Sequence, residues 1–229
     1  MTVRLYLVRH AESTWNVEGR VQGQADPPLS EQGQAQAARL ADRFRGDAVT
    51  ALYTSPLQRA LNTAERVAQA TGLPVRVDDR LKEHNLGLFT GHIWADIVEQ
   101  YPEFAKAWME QALDMPGGEK HTALRARAAG VVEDIVAQHA EGRVVVVSHG
   151  GLLGEYLAHL LRLDANRRHP FRFDNASVSV VEVGGALTRV HRLNDVSHLM
   201  VAPPPLFADP TRENFESPSQ RLRDHPLPE

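Results

Sequence analysis

Val144-Val145-Val146-Val147-Ser148-His149-Gly150-Gly151 is the stretch on which the fold turns. Four consecutive β-branched residues form a strand, and with no polar side chain among them neither face of that strand can meet water. A strand buried on both faces belongs to a largely parallel sheet covered by helices on each side. The glycines that follow open a strongly apolar segment, Gly150 to Leu161, which reads as a helix. Ser148-His149 therefore stands at the carboxyl end of a central strand, the place where open α/β sheets bind their ligands.

Working outward, Val3 to Val8 is a second short apolar run, and it ends in Arg9-His10. Val49 to Tyr53 and Val75 to Val77 are weaker strand candidates, while Ser177 to Val183 and Leu187 to Leu193 flank Gly184-Gly185, a good two-residue hairpin turn. Helical patterns lie between these strands. Ser30 can cap a helix with Ala37, Leu40, Ala41 and Phe44 on one face. Ser55-Pro56 reads as a cap followed by a first-turn proline, with Gly72 as the stop. His121 to Ala140 places Val131, Ile135 and Val136 together. Strands alternating with helices predict an α/β fold. The connection from Lys82 to Glu119 carries Phe89, Trp94, Tyr101, Phe104, Trp108, Met109 and Met115, which predicts a helical cap over about 84–119 rather than a bare loop. Past residue 200 prolines accumulate, so one domain over 1–200 and a solvated tail over 201–229 are expected.

Composition narrows the function. Of 229 residues 42% are apolar, enough for a sizeable core, and a net charge of −4 supplies no positive field for nucleic acid or membrane surfaces. The absence of cysteine removes thiol nucleophiles and Cys-type zinc sites, and fits a reducing compartment. Neither a signal peptide nor an apolar run near the roughly 20 residues of a membrane helix is visible, so a cytoplasmic location is expected.

The chemistry gathers at strand ends. If the strands ending in Arg9-His10 and Ser148-His149 are neighbours, two imidazoles meet at one edge, and a shared anion relieves their repulsion. The turn at Gly150 adds backbone N–H donors and the positive end of a helix dipole. Thr54-Ser55-Pro56-Leu57-Gln58-Arg59 leaves a third strand, so Arg59 can join Arg9 as a second planar fork for phosphate oxygens. Asn16 and Gln22 lie on the loop after His10 and offer further hydrogen bonds. Glu83 follows another strand, and a glutamate sheltered beside an anion suits a general acid. Each residue alone has a blander reading as a cap, a solvated charge or helix punctuation. Their convergence on one end of the strands is what packing does not require.

At these residues the chain resembles the histidine phosphatase family, which includes phosphoglycerate mutases. Leu7-Val8-Arg9-His10-Ala11-Glu12-Ser13-Thr14-Trp15-Asn16 is similar to its signature. Agreement continues in order through Gln22-Gly23 with Pro28-Leu29-Ser30-Glu31-Gln32-Gly33, Thr54 to Ala60 with Thr63-Ala64, Leu81-Lys82-Glu83 with Gly87 and Gly91, and Pro116-Gly117-Gly118-Glu119 with Val147 to Gly151. The resemblance covers roughly residues 3–195. It implies a three-layer α/β/α sandwich with a six-stranded, mostly parallel mixed sheet, the first and fourth strands adjacent and the fifth antiparallel. It also implies that His10 is the nucleophile and becomes phosphohistidine, that Arg9, Arg59 and His149 bind the transferred phosphoryl group, that Asn16 and Gln22-Gly23 contact phosphate or substrate with Gly150, and that Glu83 is the proton donor. No metal and no cofactor is implied. Lys82, Thr90 and Lys120 depart from residues common in the family and bear on substrate contacts.

A phosphomonoesterase for small metabolites is the expected activity. Mutase-type phosphoryl transfer and a non-catalytic phosphate-binding protein are the alternatives. Between His84 and Gly118 the only Lys or Arg is Lys106, which leaves the cap little to hold a second anionic group and favours the phosphatase. A metal hydrolase finds no support, because the 11 histidines are scattered and no His-Glu-x-x-His helix exists. The partner expected is a small phosphomonoester, with a homodimer through an edge strand or the cap.

Overall fold

The computed structural model describes residues 2–109, 114–184 and 188–200. The tail over 201–229 and Gly185 of the expected turn lie outside the described residues.

Seven-residue strands β1 (Val3–Arg9) and β4 (Gly142–Ser148) form the centre of a six-stranded sheet, with β2 (Ala51–Thr54), β3 (Val75–Val77), β5 (Val178–Val183) and β6 (Arg189–Asp195) completing the order β3-β2-β4-β1-β5-β6. β1, β2, β3 and β4 are parallel, and β5 runs antiparallel to both its neighbours. Alternation of side chains explains why the valines must be continuous. Val144 and Val146 face a core with Val3, Leu5 and Leu7 under α6 (His121–Ala137) and α7 (Gly150–Leu160), while Val145 and Val147 face Tyr6 and Val8 under α2 (Glu31–Phe44) and α3 (Gln58–Thr71). All four valines are fully buried. Those helix pairs are the outer layers of the expected three-layer sandwich. α1 (Thr14–Val17) is a single turn on the loop after β1, and α4 (Trp94–Gln100) and α5 (Pro102–Met109) form the helical cap.

Ser30 caps α2 by accepting from the Gly33 N–H, and Gly72 ends α3 with φ +72°. The start of α3 differs from expectation. The Ser55 N–H still donates a ladder bond to the Val147 carbonyl, so the sheet holds the residue extended and the helix begins only at Gln58. The N-cap position is Leu57, which has no side-chain cap bond; Asp26 of the loop after β1 accepts the Gln58 N–H instead, at 2.6 Å.

Register then positions the site. Arg9 pairs with Ser148 and Val147 with Thr54, so His10, His149 and Ser55 leave adjacent strands at one level. Because β5 is antiparallel, its incoming segment reaches the same edge: the Ala176 N–H donates to the His10 carbonyl. Among the described residues no helix is long and apolar enough to cross a membrane.

Candidate active site

His10 and His149 sit with ring centroids 5.1 Å apart, both buried. His10 Nδ1 lies 2.7 Å from the Ala11 carbonyl oxygen, which can only accept, so Nδ1 carries the proton. The lone pair is thereby left on Nε2, where the Arg59 Nε–H donates to it at 3.3 Å. Burial, and then the charges of Arg9 and Arg59, hold the His10 imidazole well below the usual histidine range, so it is neutral at pH 7. The same causes, with the His10 ring among them, act on His149.

His149 Nε2 meets Ser55 Oγ at 2.8 Å. That hydroxyl already accepts from the Leu57 N–H, which frees its own proton for Nε2 and favours a His149 tautomer protonated on Nδ1. His149 Nδ1 and Arg9 Nε are buried without a partner among the described residues. Buried donors left unpaired are costly, and an anion at this edge would satisfy both.

Arg59 is fully buried and arrives from the first turn of α3. Its Nη1 donates to the Ala25 carbonyl at 2.7 Å and its Nη2 to the Gly23 carbonyl at 2.9 Å. Burial lowers its pKa to about 10, so it stays charged. Arg9 Nη1 donates to the Phe173 carbonyl at 2.5 Å. Arg59 therefore lacks the free two-pronged fork that the sequence predicts, because Nη1 and Nη2 are spent on backbone carbonyls and Nε faces His10. Arg9 spends only Nη1 on a carbonyl, and its Nε lies unpaired. Gly23 has φ +49°, and a Cβ there would come within 3.1 Å of the Leu86 nitrogen, so the loop that receives Arg59 depends on glycine.

Ser13, fully buried, was not anticipated. Its hydroxyl donates its one proton to Gln22 Oε1 at 2.9 Å, while Asn16 Oδ1 accepts from the Ser13 N–H at 3.0 Å and from Asn175 Nδ2 at 3.2 Å. With both amide oxygens engaged, Asn16 and Gln22 have their NH2 donors left, the polarity an anion requires. Ser13 lies inside the signature stretch, but a serine beside a helical turn reads as a cap, which it also is.

Glu83 joins the site from the segment after β3. Its Oε2 accepts from the Gly151 N–H at 3.1 Å, and its Oε1 from Leu152 at 3.2 Å and from its neighbour His84 at 2.7 Å. The α7 N-terminus foreseen as an anion cradle thus holds this carboxylate through Gly151 and Leu152, while Gly150 lies against Arg9, its added Cβ 3.8 Å from that side chain.

The cap aromatics largely pack on one another: Phe89 stacks on Phe104 at 4.7 Å and meets Tyr101 and His92 edge-on. Trp108 is stacked with His84 at 6.2 Å, and the Arg168 guanidinium lies over its ring at 3.1 Å from the centroid. The cap therefore acquires a cation from outside its own sequence, which the count of Lys and Arg between His84 and Gly118 missed. Among the described residues no group of three His, Asp or Glu side chains is arranged to hold a metal.

A parallel-centred sheet whose edge gathers two neutral imidazoles, two arginines and a carboxylate defines an enzyme built to handle a tetrahedral anion. Comparison with known proteins specifies it. Residues 5–196 match the histidine phosphatase superfamily, branch 1. Phosphoserine phosphatase 1 of Hydrogenobacter thermophilus is 37% identical over 199 residues, 86% of this chain and 94% of that protein. The probable phosphoglycerate mutase GpmB of Escherichia coli is 33% identical over 204 residues, 86% of this chain and 95% of its own. The structure of a mycobacterial glucosyl-3-phosphoglycerate phosphatase superposes with a TM-score of 0.78 at 34% identity, over 84% of this chain and 98% of that one. The chain belongs to the histidine phosphatase superfamily and is a phosphomonoesterase.

Proposed function

We propose that the chain hydrolyses small phosphomonoesters of aliphatic alcohols through a phosphohistidine on His10. The observation that carries this reading is the tautomer lock: Nδ1 tied to Ala11, Nε2 neutral and facing Arg59. His10 Nε2 attacks phosphorus as the P–O ester bond breaks. Glu83, a carboxylate in the free enzyme that carries a proton once substrate is bound, gives that proton to the departing alkoxide, which leaves as the alcohol. Water then attacks the phosphohistidine, Glu83 takes a proton from it, and phosphate and neutral His10 are released. Arg9, Arg59 and the His149 N–H stabilise charge on the equatorial oxygens, with Asn16 and Gln22 donating at the rim. The protein supplies the positive charge itself, so the reaction is metal-independent. Phosphorylated hydroxy acids are the substrate class supported by the relatives, one named for phosphoserine and one for glucosyl-3-phosphoglycerate. A cytoplasmic location fits a chain without cysteine. The same reading takes 1–200 as the catalytic domain and 201–229 as its tail.

The experiment is a panel of phosphomonoesters assayed for phosphate release and for isomerisation, with and without 2,3-bisphosphoglycerate and chelator. Phosphate release that survives chelation, with an acid-labile phosphoenzyme absent from His10→Ala, is expected. The likeness to a probable mutase keeps transfer to a second acid in play. Fast interconversion of phosphoglycerates with little free phosphate would decide for it.

A further inference from the structure

Arg127 projects from α6, outside every motif discussed above, toward the segment that carries Glu83. Its Nη1 donates to the Arg80 and Lys82 carbonyls, both at 2.7 Å, and its Nη2 to the Glu83 carbonyl at 3.3 Å. Nε and Nη2 also grip the Glu119 carboxylate at 2.9 and 2.6 Å. A guanidinium has five N–H donors, and all five are matched. Glu119 is fixed in turn: its N–H donates to the Asn85 carbonyl at 2.9 Å, and its carbonyl accepts from His84 Nε2 at 2.6 Å. Lys82 and His84, on either side of Glu83, are thus tied to one ion pair, while the Glu83 side chain is held from above by the α7 N–H groups. The base of Arg127 is rigid, since Leu124, Ala128 and Val131 of the same helix are core residues.

We propose that Arg127, oriented by Glu119, is a positioning residue that sets the height and direction of the proton donor Glu83. A surface ion pair needs no backbone partners; this one spends three of its five donors on the segment leading into the acid. The terminal glutamate of Pro116-Gly117-Gly118-Glu119 gains a role on this account: it aligns the arginine fork. Lysine cannot replace Arg127, because three donors radiating from one point do not reach five acceptors.

The inference rests on Glu83 as the leaving-group acid, and the test separates the two ideas. The full-length chain, Arg127→Met, Glu119→Gln and Glu83→Gln are compared by kcat/KM on an alkyl phosphomonoester, whose alkoxide needs a proton, and on p-nitrophenyl phosphate, whose phenolate does not. For Arg127→Met the alkyl rate falls about 100-fold, as for a misplacement near 1 Å, and the aryl rate less than about threefold. Glu119→Gln moves the same ratio in the same direction and serves if Arg127→Met does not fold. Equal loss on both substrates in both variants, with Glu83→Gln selective for the alkyl ester, overturns the positioning role alone. Equal or no loss in Glu83→Gln overturns the acid assignment, and the positioning role with it.

Discussion

Gly151→Ala separates catalysis from stability at a single methyl group. An added Cβ would lie 2.5 Å from Glu83 Oε1 and 3.2 Å from its Cδ. Ordinary contact begins near 3.4 Å, so the carboxylate has to retreat by about 1 Å, or the first turn of α7 must open by as much. Retreat stretches the bonds from Gly151 and Leu152 that now stand at 3.1 and 3.2 Å. Hydrogen bonds to a charged group contribute about 1.5–3 kcal/mol each, whereas alanine in place of a helical glycine returns up to ~1 kcal/mol. With one bond lost and the other kept, stability falls by roughly 0.5–2 kcal/mol. That is about 1–8 °C in Tm for a domain of this size. Activity responds more steeply, because misplacing a reacting group by ~1 Å costs about 100-fold.

The assay is phosphate release from an alkyl phosphomonoester beside a thermal melt, with Gly130→Ala as control. Gly130 lies in α6 with nothing within 4 Å of an added Cβ, so that variant gains up to ~1 kcal/mol and keeps full activity. Gly151→Ala with wild-type turnover would refute the reasoning. So would a melt lowered enough to account for the lost activity by unfolding.

Three further outcomes are expected. Ser55→Ala leaves His149 Nε2 buried without its 2.8 Å partner, which costs about 1–3 kcal/mol; nitrogen-15 NMR of the imidazole should show the Nδ1–H form losing ground, and an unchanged spectrum removes the serine as tautomer lock. Acid lowers stability through His10 and His149, since both are held below the value near 6.5 they regain on unfolding. Their contribution is complete above pH ~6.5 and is lost as pH falls toward the folded values, by up to ~1.4 kcal/mol per pH unit each; the urea midpoint falls from pH 6.5 to 5.5, and in His10→Gln the slope is shallower. Arg125 and Glu155 form a buried pair at 2.6 Å, and Arg125 also holds the carbonyls of Leu163, Asp164 and Arg167, so Glu155→Ala should cost about 3–5 kcal/mol in chemical denaturation, a loss under 1 kcal/mol contradicting a buried role.

How far the sequence could be read depends on whether the physics is local. The valines of β4 announce a doubly covered strand because burial on both faces acts on every residue of the run. Ser30 and Gly72 are equally legible, for a cap and a left-handed stop are decided within a few residues. Adjacency of β1 and β4 is different: 138 residues separate Arg9 from its register partner Ser148 within one sheet, and only the resemblance supplied that neighbour. Residues with two local readings were read as the commoner one. Ser55 looks like a helix cap until the ladder bond to Val147 holds it extended and turns its hydroxyl to His149. Phe173 and Asn175 look like loop until the antiparallel β5 brings that loop to the site, where one accepts from Arg9 and the other donates to Asn16.

Charged residues on helices are the least legible of all. Arg125 and Arg127 stand two positions apart in one alanine-rich helix, and the sequence gives both the look of a solvated face. One is buried against α7 and ties the loop after it; the other grips the segment that carries Glu83. Arg168 follows the same logic, reaching the cap tryptophan from 60 positions away. Guanidinium forks are chosen for such tasks because they satisfy several carbonyls at once, and carbonyls carry no sequence identity. Most of the partners these arginines hold are therefore backbone atoms, which any sequence would offer at those positions. What has to be specified is the arginine that reaches them, and that choice becomes visible only when the chain is folded.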